Sequence, residues 1–267
     1  SVAMAEHLAG SEEEFVNMMN ERAEGLGMKN THFEDCCGLT DSENHYTTAS
    51  DVAMMSRELI TRYPEILTYS SIWMDTITHE TKKGSSEVGL TNTNKLVRTY
   101  EGCVGLKTGS TSTAKYCVSA VAVREGMTLI GVVMGAENYK IRFNDAAAML
   151  NYGFARCSLY QEKETDKEFL VDVQKGTKEQ VAGEYKHAFS YVDTSGKSMD
   201  QIKKKTVLSD KITAPVKKGD VLGRTEYYLD GEKIGEVNIV ARHGVDEAQY
   251  GDRLREVFGE WLVEGQR

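Results

Sequence analysis

The sequence predicts an α/β (α+β) domain, then a small antiparallel β domain, then an amphipathic helix at the C-terminal end. Two observations favour this order. Residues 1–160 alternate apolar residues at helical spacing with β-branched runs, whereas residues 161–244 hold short alternating runs between turn residues. Residues 245–267 return to helical spacing. The chain has 267 residues, which suits one large domain followed by a smaller one.

Three helices are predicted before the first proline of the chain. Apolar residues along one side of Ser1–Ala9 predict the first helix. The second begins at Ser11, which an acidic residue follows three positions later as in a capping box, and it ends at Gly27. The same capping pattern at Thr48 opens the third helix, which ends before Pro64.

The middle of the first domain is predicted to hold its strands. Ile72–Glu80 alternates in the manner of a strand, and Leu90–Leu96 is a polar stretch rich in Asn and Thr. Tyr116–Val123 and Met127–Met134 are apolar, β-branched runs on either side of a short turn, which predicts a hairpin. A helix over Tyr139–Phe154 follows, and helices around such a sheet are typical of an α/β or α+β domain.

The second domain is predicted from five short alternating runs with turn residues between them. These runs are Glu168–Val173, Glu184–Val192, Thr206–Leu208, Asp220–Leu229 and Glu232–Ala241. The terminal helix carries an apolar stripe that either packs on the β domain or associates with a membrane surface. Residues 246–267 are rich in acidic side chains, which does not suit anionic lipid.

The composition argues against several classes of function. The formal net charge is −9, and an acidic chain repels phosphate backbones, so we expect no nucleic-acid partner. The five cysteines include no C-x-x-C pair, and the six histidines include no HExxH pattern. We therefore expect no metal ion and no cofactor, and we interpret the cysteines as small buried side chains.

The strongest local signal is the sequence Lys107-Thr108-Gly109, immediately before the predicted hairpin. Serine enzymes that recognise penicillin combine K-T-G with S-x-x-K and S-D-N motifs. A strand edge offers backbone groups to an extended peptide, which makes the motif suitable for peptide binding. The lysine places positive charge near a substrate carboxylate, the threonine adds a hydroxyl donor, and the glycine leaves room for the substrate.

Several sequence blocks, in one order along the chain, carry a resemblance to a known family. They are Val2–His7 with Ala9–Ser11, Leu26–Phe33, Gly38-Leu39, His45–Ala49 with Asp51, Asn92–Leu96, Lys107–Gly109 with Thr111, Ala114, Tyr116 and Cys117, and Met134-Gly135 with Arg142. In these blocks the chain resembles the D-alanyl-D-alanine carboxypeptidases, which are low-molecular-weight penicillin-binding proteins. The resemblance implies a penicillin-binding/β-lactamase-like transpeptidase fold for the first domain.

The resemblance also implies roles for individual residues. Lys107 resembles the family's lysine that helps to bind the substrate carboxylate and shapes the proton network. The backbone N–H of Ser110 resembles one arm of the oxyanion hole. Arg142 is similar to the arginine that supports recognition of the carboxylate. The substrate-binding set implied in this way is Thr108, Gly109, Thr111 and Arg142.

The family's S-x-x-K and S-x-N motifs both belong before Val2, and this sequence does not contain them there. The one literal S-x-x-K is Ser112–Lys115, which runs into a predicted strand, where the two side chains would point to opposite faces. A serine nucleophile and its lysine need to lie one helical turn apart. We therefore expect the first domain to be incomplete at its N-terminus and to expose apolar surface where the missing segment packs. Lys115 also stands where the family usually has a glycine.

The function implied by the resemblance is that of an extracytoplasmic serine-type carboxypeptidase. It removes the terminal D-alanine of peptidoglycan stem peptides through an acyl-enzyme, and penicillins acylate the same serine. The expected partners are stem peptides and β-lactam antibiotics. The expected location is the cell wall or the outer face of the cytoplasmic membrane, reached through a signal peptide outside this sequence.

Two alternative functions stay open. A class A β-lactamase-like hydrolase shares the K-T-G strand, and a non-catalytic wall-binding fragment would explain the absent nucleophile. Simpler interpretations also exist for some polar residues. Asn92–Asn94 fits a polar turn as well as it fits a site. His32 and His45 are expected to be hydrogen-bonding loop residues rather than catalysts.

Overall fold

The computed structural model describes residues 1–82 and 84–252 and divides the chain into two compact units. The first unit covers Ser1–Arg156, and the second begins at Cys157. Each unit has its own buried apolar cluster, so each is held together by burial within itself. The first unit combines helices with a sheet, which confirms the α/β class predicted from the sequence.

The described residues of the first unit contain six helices, and side-chain caps decide where the longer ones begin. The helices are α1 (Val2–Ala9), α2 (Glu12–Gly25), α3 (Ala49–Arg62), α4 (Ile66–Ser70), α5 (Leu96–Thr99) and α6 (Tyr139–Arg156). The hydroxyl of Ser11 accepts a hydrogen bond from the backbone N–H of Glu14 at 3.1 Å. The hydroxyl of Thr48 accepts one from Asp51 at 3.1 Å. These two bonds confirm both predicted caps. The local sequence is enough to predict a cap, because a capping bond acts within one turn of its own helix.

The strands of the first unit form two separate sheets within the described residues. They are β1 (Met74–Thr81), β2 (Gly84–Thr91), β3 (Cys103–Thr111), β4 (Lys115–Arg124) and β5 (Met127–Ala136). β3, β4 and β5 form an antiparallel sheet in that order, so the predicted hairpin is confirmed. β3, which carries the K-T-G sequence, therefore lies at the edge of this sheet. In the part of the chain that the structure describes, β1 and β2 pair only with each other.

The strand β2 is one of the elements of the first unit that the sequence does not predict, together with the short helices α4 and α5. It contains two glycines and two serines, which are weak strand formers. Every residue of β1 and β2 is exposed, so neither strand has a buried face. The hairpin is instead defined by residue-for-residue pairing, from Met74 opposite Thr91 to Thr81 opposite Gly84. The sequence of β2, unlike that of β1, shows no alternation to detect.

The core of the first unit lies between α6 and the three-stranded sheet. Alternate residues of β4 form one buried cluster with apolar residues of α6. The members that make this contact are Val118, Ala120, Ala122, Phe143, Ala146 and Leu150. Because successive residues of a strand point to opposite faces, Cys117 and Ser119 are left for the other side of the sheet. Helix α3 packs on β4 and β5.

The second unit is built around a six-stranded sheet. Its described strands are β6 (Ser158–Gln161), β7 (Phe169–Gln174), β8 (Gln180–Tyr185), β9 (Ser190–Asp193), β10 (Lys203–Leu208), β11 (Lys211–Thr213), β12 (Val221–Leu229) and β13 (Glu232–Ala241). The order in the large sheet is β10-β12-β13-β8-β7-β11, and β6 pairs with β9. The predicted antiparallel β domain is confirmed, with one parallel pair, β7 and β11, that the sequence does not indicate.

Three details of the second unit differ from the sequence prediction. The run Glu184–Val192 is not one strand, because it is divided between the end of β8 and most of β9. The strands β6 and β11 are not predicted. They have 4 and 3 residues, which is too short for alternation to be visible in the sequence.

An aromatic cluster with a buried carboxylate links β6 to β12. The rings of Phe189 and Tyr227 stack with centroids 3.8 Å apart. The Tyr227 hydroxyl donates to the buried carboxylate of Glu162 at 3.2 Å, and the ammonium of Lys204 lies 2.8 Å from the same carboxylate. Burial and the neighbouring Glu162 raise the pKa of Tyr227 above its ordinary value. The buried charge is therefore both paired and hydrogen-bonded, as the interior requires.

A second carboxylate, on the β12–β13 hairpin, has three donors. Glu226 accepts hydrogen bonds from the Tyr228 hydroxyl at 2.7 Å, from Arg224 at 2.9 Å and from Lys233 at 3.0 Å. These bonds favour the ionised form and lower the pKa of Glu226 to about 2. The ionised carboxylate therefore stabilises the folded hairpin.

We expect the substitution Glu226→Gln to lower the free energy of unfolding at pH 7 and to flatten its dependence on acid. A carboxyl with a lowered pKa stabilises the fold above its ordinary value of 4.5 and loses that contribution as the pH falls toward about 2. Urea denaturation followed by circular dichroism at neutral and acidic pH measures both effects. Glu179→Gln is the control, since Glu179 is exposed and its carboxylate forms no ion pair within the described residues. Equal stability of the two variants at pH 7 would contradict the prediction.

The terminal helix predicted over residues 245–267 lies mostly outside the described residues. Within that range, the structure describes a β-bridge between Val245 and Val216 and a helical start at Tyr250–Asp252. None of the helices in the described part of the chain is both long enough and apolar enough to cross a membrane.

Candidate functional site

An open groove lies beside the K-T-G strand in the first unit. Its volume is about 760 Å³. Apolar side chains line most of it, among them Met55 and Leu59 of α3, Leu106 of β3 and Val132 of β5. The sequence predicts exposed apolar surface in this domain, and the groove together with the exposed Tyr69 on its rim confirms that prediction.

The strand β3 presents the K-T-G sequence along this groove. Lys107, Thr108 and Gly109 all line it. Lys107 lies opposite Ser119 of β4, and Gly109 lies opposite Cys117. Because β3 has a sheet neighbour on one side only among the described residues, its other edge can pair with the backbone of an extended peptide.

The predicted site residues on β3 differ in how accessible they are. Lys107 is exposed, and its ammonium donates to the backbone carbonyl of Thr108. A Cβ added at Gly109 would meet no atom within 4 Å, so the space in front of the strand is open there. Ser110 is also exposed. The hydroxyl of Thr111 instead accepts a hydrogen bond from the backbone N–H of Ala114 at 2.9 Å, so it shapes the turn after β3.

The hydroxyl of Thr108 has a partner that sequence reasoning did not identify. Thr108 is 8% exposed, and its Oγ1 lies 2.7 Å from Oγ1 of Thr93. The neighbouring Asn94 donates to the carbonyl of Gly105 at 2.9 Å. The segment Asn92–Asn94 is therefore a polar turn, as one interpretation has it, and it also contacts the motif strand. In the sequence these residues are marked only as part of the block Asn92–Leu96 that resembles the family, and that block does not show that Thr93 contacts Thr108.

The structure brings Arg142 of α6 to the back of the motif strand. Its Nη1 donates to the carbonyls of Gly109 at 3.1 Å and Cys117 at 3.0 Å, which joins α6 to β3 and β4. Arg142 is 6% exposed, and its Nε has no hydrogen-bond partner within the described residues. Burial lowers the pKa of this guanidinium from its ordinary value. An arginine stays charged even so, and it therefore places a positive charge behind the strand.

The literal S-x-x-K sequence does not form a nucleophile pair. Ser112 lies in the turn between β3 and β4, and Lys115 is the first residue of β4 with a positive φ of 55°. Both side chains are exposed, and no helical turn joins them. The prediction that this pair is not catalytic rests on the requirement that the serine and the lysine lie one helical turn apart. The turn between β3 and β4 does not meet that requirement.

Other titratable residues contribute to loops rather than to a reactive cluster. Nδ1 of His45 accepts a hydrogen bond from the backbone N–H of Glu34 at 3.1 Å, and His32 exchanges backbone hydrogen bonds with Tyr46. The described residues contain no group of three or more His, Cys, Asp or Glu side chains placed to hold a metal ion. All five cysteines are free, and only Cys103 is buried, so the interpretation of buried cysteines holds for that residue alone.

Two family matches cover most of the chain. Residues 1–138 match the D-alanyl-D-alanine carboxypeptidase family. Residues 159–247 match the family described as the C-terminal domain of penicillin-binding protein 5. The first match contains the K-T-G strand and the groove, and the second coincides with the six-stranded sheet.

Individual relatives agree with these matches. The chain is 37% identical to D-alanyl-D-alanine carboxypeptidase DacF of Bacillus subtilis over 98% of its own length and 66% of the relative. It is 31% identical to DacC of Escherichia coli with the same two coverages, 98% and 66%. The chain thus spans 66% of the length of each of these relatives. Among solved structures, penicillin-binding protein 5 from Haemophilus influenzae aligns with a TM-score of 0.67 at 32% identity, over 92% of this chain and 70% of the other.

Proposed function

Because residues 1–138 match the D-alanyl-D-alanine carboxypeptidase family, the chain belongs to that family, and we propose that its protein removes the terminal D-alanine from peptidoglycan stem peptides. A serine hydroxyl attacks the carbonyl of the penultimate D-alanine, the terminal D-alanine leaves, and water then hydrolyses the acyl-enzyme. Penicillins acylate the same serine. The observation that carries this proposal is the open edge of β3 along the groove.

The proposed substrate lies antiparallel along β3. The exposed Lys107 supplies positive charge near the terminal carboxylate, and the Thr108 hydroxyl donates a hydrogen bond to it. The backbone N–H of Ser110 forms one arm of the oxyanion hole. Gly109 leaves the room that the peptide backbone needs, since nothing lies within 4 Å of the position of its missing Cβ. Thr111 supports this strand indirectly, through its hydrogen bond in the turn.

Arg142 acts in this proposal from behind the strand. Its guanidinium holds the carbonyls of Gly109 and Cys117 at 3.1 and 3.0 Å, which fixes the segment that contacts the substrate. Its charge adds to the positive potential near the substrate carboxylate. Because the group is buried, solvent screens this potential less than it screens that of an exposed arginine.

The nucleophile is proposed to come from a segment outside the printed sequence. The sequence holds one S-x-x-K, and its turn geometry does not allow the serine and lysine to act together. The groove beside β3 is lined mainly by apolar side chains, which suits the packing of a helix against it. We place the S-x-x-K helix in this groove, opposite the K-T-G strand.

The protein is proposed to act outside the cytoplasm, where its peptidoglycan substrate lies. The second unit then serves as the C-terminal domain that accompanies the peptidase domain in penicillin-binding protein 5. Association of the terminal segment with a membrane surface is a further part of the proposal, motivated by the apolar stripe in residues 245–267.

Labelling with a fluorescent penicillin tests the proposal. We expect the protein as its gene encodes it to be labelled covalently and to release D-alanine from a peptide ending in D-alanyl-D-alanine. We expect the printed chain alone to remain unlabelled, because it lacks the serine and lysine pair. Failure of the encoded protein to label would contradict the carboxypeptidase proposal. Labelling of the printed chain would contradict the placement of the nucleophile.

The same experiment separates the alternatives. A class A β-lactamase-like hydrolase would lose the penicillin label by hydrolysis, and the second family match argues against it. A non-catalytic wall-binding protein is favoured only by the absent nucleophile. It would bind peptidoglycan without being labelled in either form.

A further inference from the structure

Side-chain hydrogen bonds of Asn92 and Asn94 hold the turn Asn92–Asn94 in place on both sides of Thr93. Asn92 donates through Nδ2 to the carbonyls of Ser70 at 3.0 Å and Ile72 at 2.9 Å. Asn94 is 2% exposed and donates to the carbonyl of Gly105 at 2.9 Å. These bonds hold the turn against the base of β3. The position of Thr93 relative to β3 is therefore set by its two neighbours.

The hydroxyl of Thr93 contacts one group on the motif strand. Its Oγ1 lies 2.7 Å from Oγ1 of Thr108, which is 8% exposed. Each hydroxyl has one proton to donate and can accept from others. One of the two threonines therefore donates and the other accepts.

The proposed substrate decides which threonine is the donor. A carboxylate only accepts hydrogen bonds, so Thr108 must donate its single proton to the substrate. Thr93 must then donate to Thr108, and this bond turns the Thr108 proton away from Thr93. Two hydrogen bonds then follow in series, from Thr93 to Thr108 and from Thr108 to the carboxylate, and each bond polarises the next.

We propose that Thr93 is a positioning residue that directs the Thr108 hydroxyl toward the substrate carboxylate. This inference rests on the proposed function, in which Thr108 contacts that carboxylate. Thr93 does not itself touch the substrate. Its effect is to hold the donor in the orientation that binding requires before the substrate arrives.

Kinetics of the variant Thr93→Val, made in the protein as its gene encodes it, test the inference. Valine keeps the shape of threonine and removes the hydroxyl. We expect KM for a peptide ending in D-alanyl-D-alanine to rise about five- to tenfold, as for the loss of one hydrogen bond. We expect kcat to change little, because the carboxylate is bound in both the ground state and the transition state.

A substrate without the carboxylate separates positioning from a structural effect. The same peptide with a C-terminal amide accepts only a weaker, uncharged hydrogen bond from Thr108, so Thr93→Val should impair its turnover less. Thr93→Ser restores the hydroxyl and should restore KM. Thr91→Val is the matched control, since Thr91 is exposed, ends β2 directly before the turn and makes no side-chain hydrogen bond within the described residues.

The outcomes distinguish this inference from the function on which it rests. An active wild-type protein whose KM is unchanged in Thr93→Val would overturn the inference alone. Equal impairment of the carboxylate and amide substrates would also overturn it. A wild-type protein that neither labels with penicillin nor releases D-alanine would overturn the proposed function and this inference together.

Discussion

Replacing Gly109 with valine is expected to lower the rate of D-alanine release roughly 100-fold while leaving the folded state intact. A Cβ at this position meets no atom within 4 Å outside the two neighbouring residues, so nothing in the described protein blocks the start of the side chain. That room lies in the groove, where the proposed peptide backbone approaches β3. A side chain there holds the substrate away from the strand, and a displacement of about 1 Å costs roughly 100-fold in rate.

The measurements for Gly109→Val are kcat/KM for D-alanine release, the rate of penicillin acylation and the urea midpoint. We expect the first two to fall and the third to stay constant, since a β-branched residue suits a strand. Gly89→Val is the matched control. Gly89 is also a strand glycine with no atom within 4 Å of an added Cβ, but it lies on β2 and does not line the groove. Full activity of Gly109→Val would show that the substrate does not approach this strand.

Replacing Arg142 with methionine is expected to lower both stability and activity. The carbonyls of Gly109 and Cys117 lose a charged donor, and a charged hydrogen bond contributes about 1.5–3 kcal/mol. Methionine keeps most of the apolar stem, so we expect a net loss of about 2 kcal/mol in the free energy of unfolding. Because Gly109 would then be held less firmly, we also expect kcat/KM to fall roughly 100-fold.

Urea denaturation and steady-state kinetics check the prediction for Arg142→Met. Arg156→Met is the control on the same helix, because Arg156 is exposed and should change stability by less than about 0.5 kcal/mol. Arg142→Lys keeps the charge but not the planar fork, so it should fall between the wild type and Arg142→Met. Wild-type activity in Arg142→Met would mean that the charge behind β3 has no part in substrate recognition.

Local signals in the sequence determined much of this protein. Ser11 and Thr48 set the starts of α2 and α3, because a capping bond spans only three residues. The alternation along β4 and β5 and the helical spacing along α6 record which faces are buried. The sequence Lys107-Thr108-Gly109, placed directly before that hairpin, predicted the strand that borders the groove.

Only the tertiary structure decided how that strand is supported. Thr93 meets Thr108 across 15 positions, and Arg142 reaches Gly109 across 33, so neither contact leaves a periodic trace in the sequence. The sequence does not predict the strand β2 either, because its residues do not alternate and its pairing with β1 is what defines it. Sequence patterns report the periodicity of burial within one element. Contacts between distant elements depend on how those elements pack. Here that packing places the Thr93 hydroxyl and the Arg142 guanidinium beside the K-T-G strand.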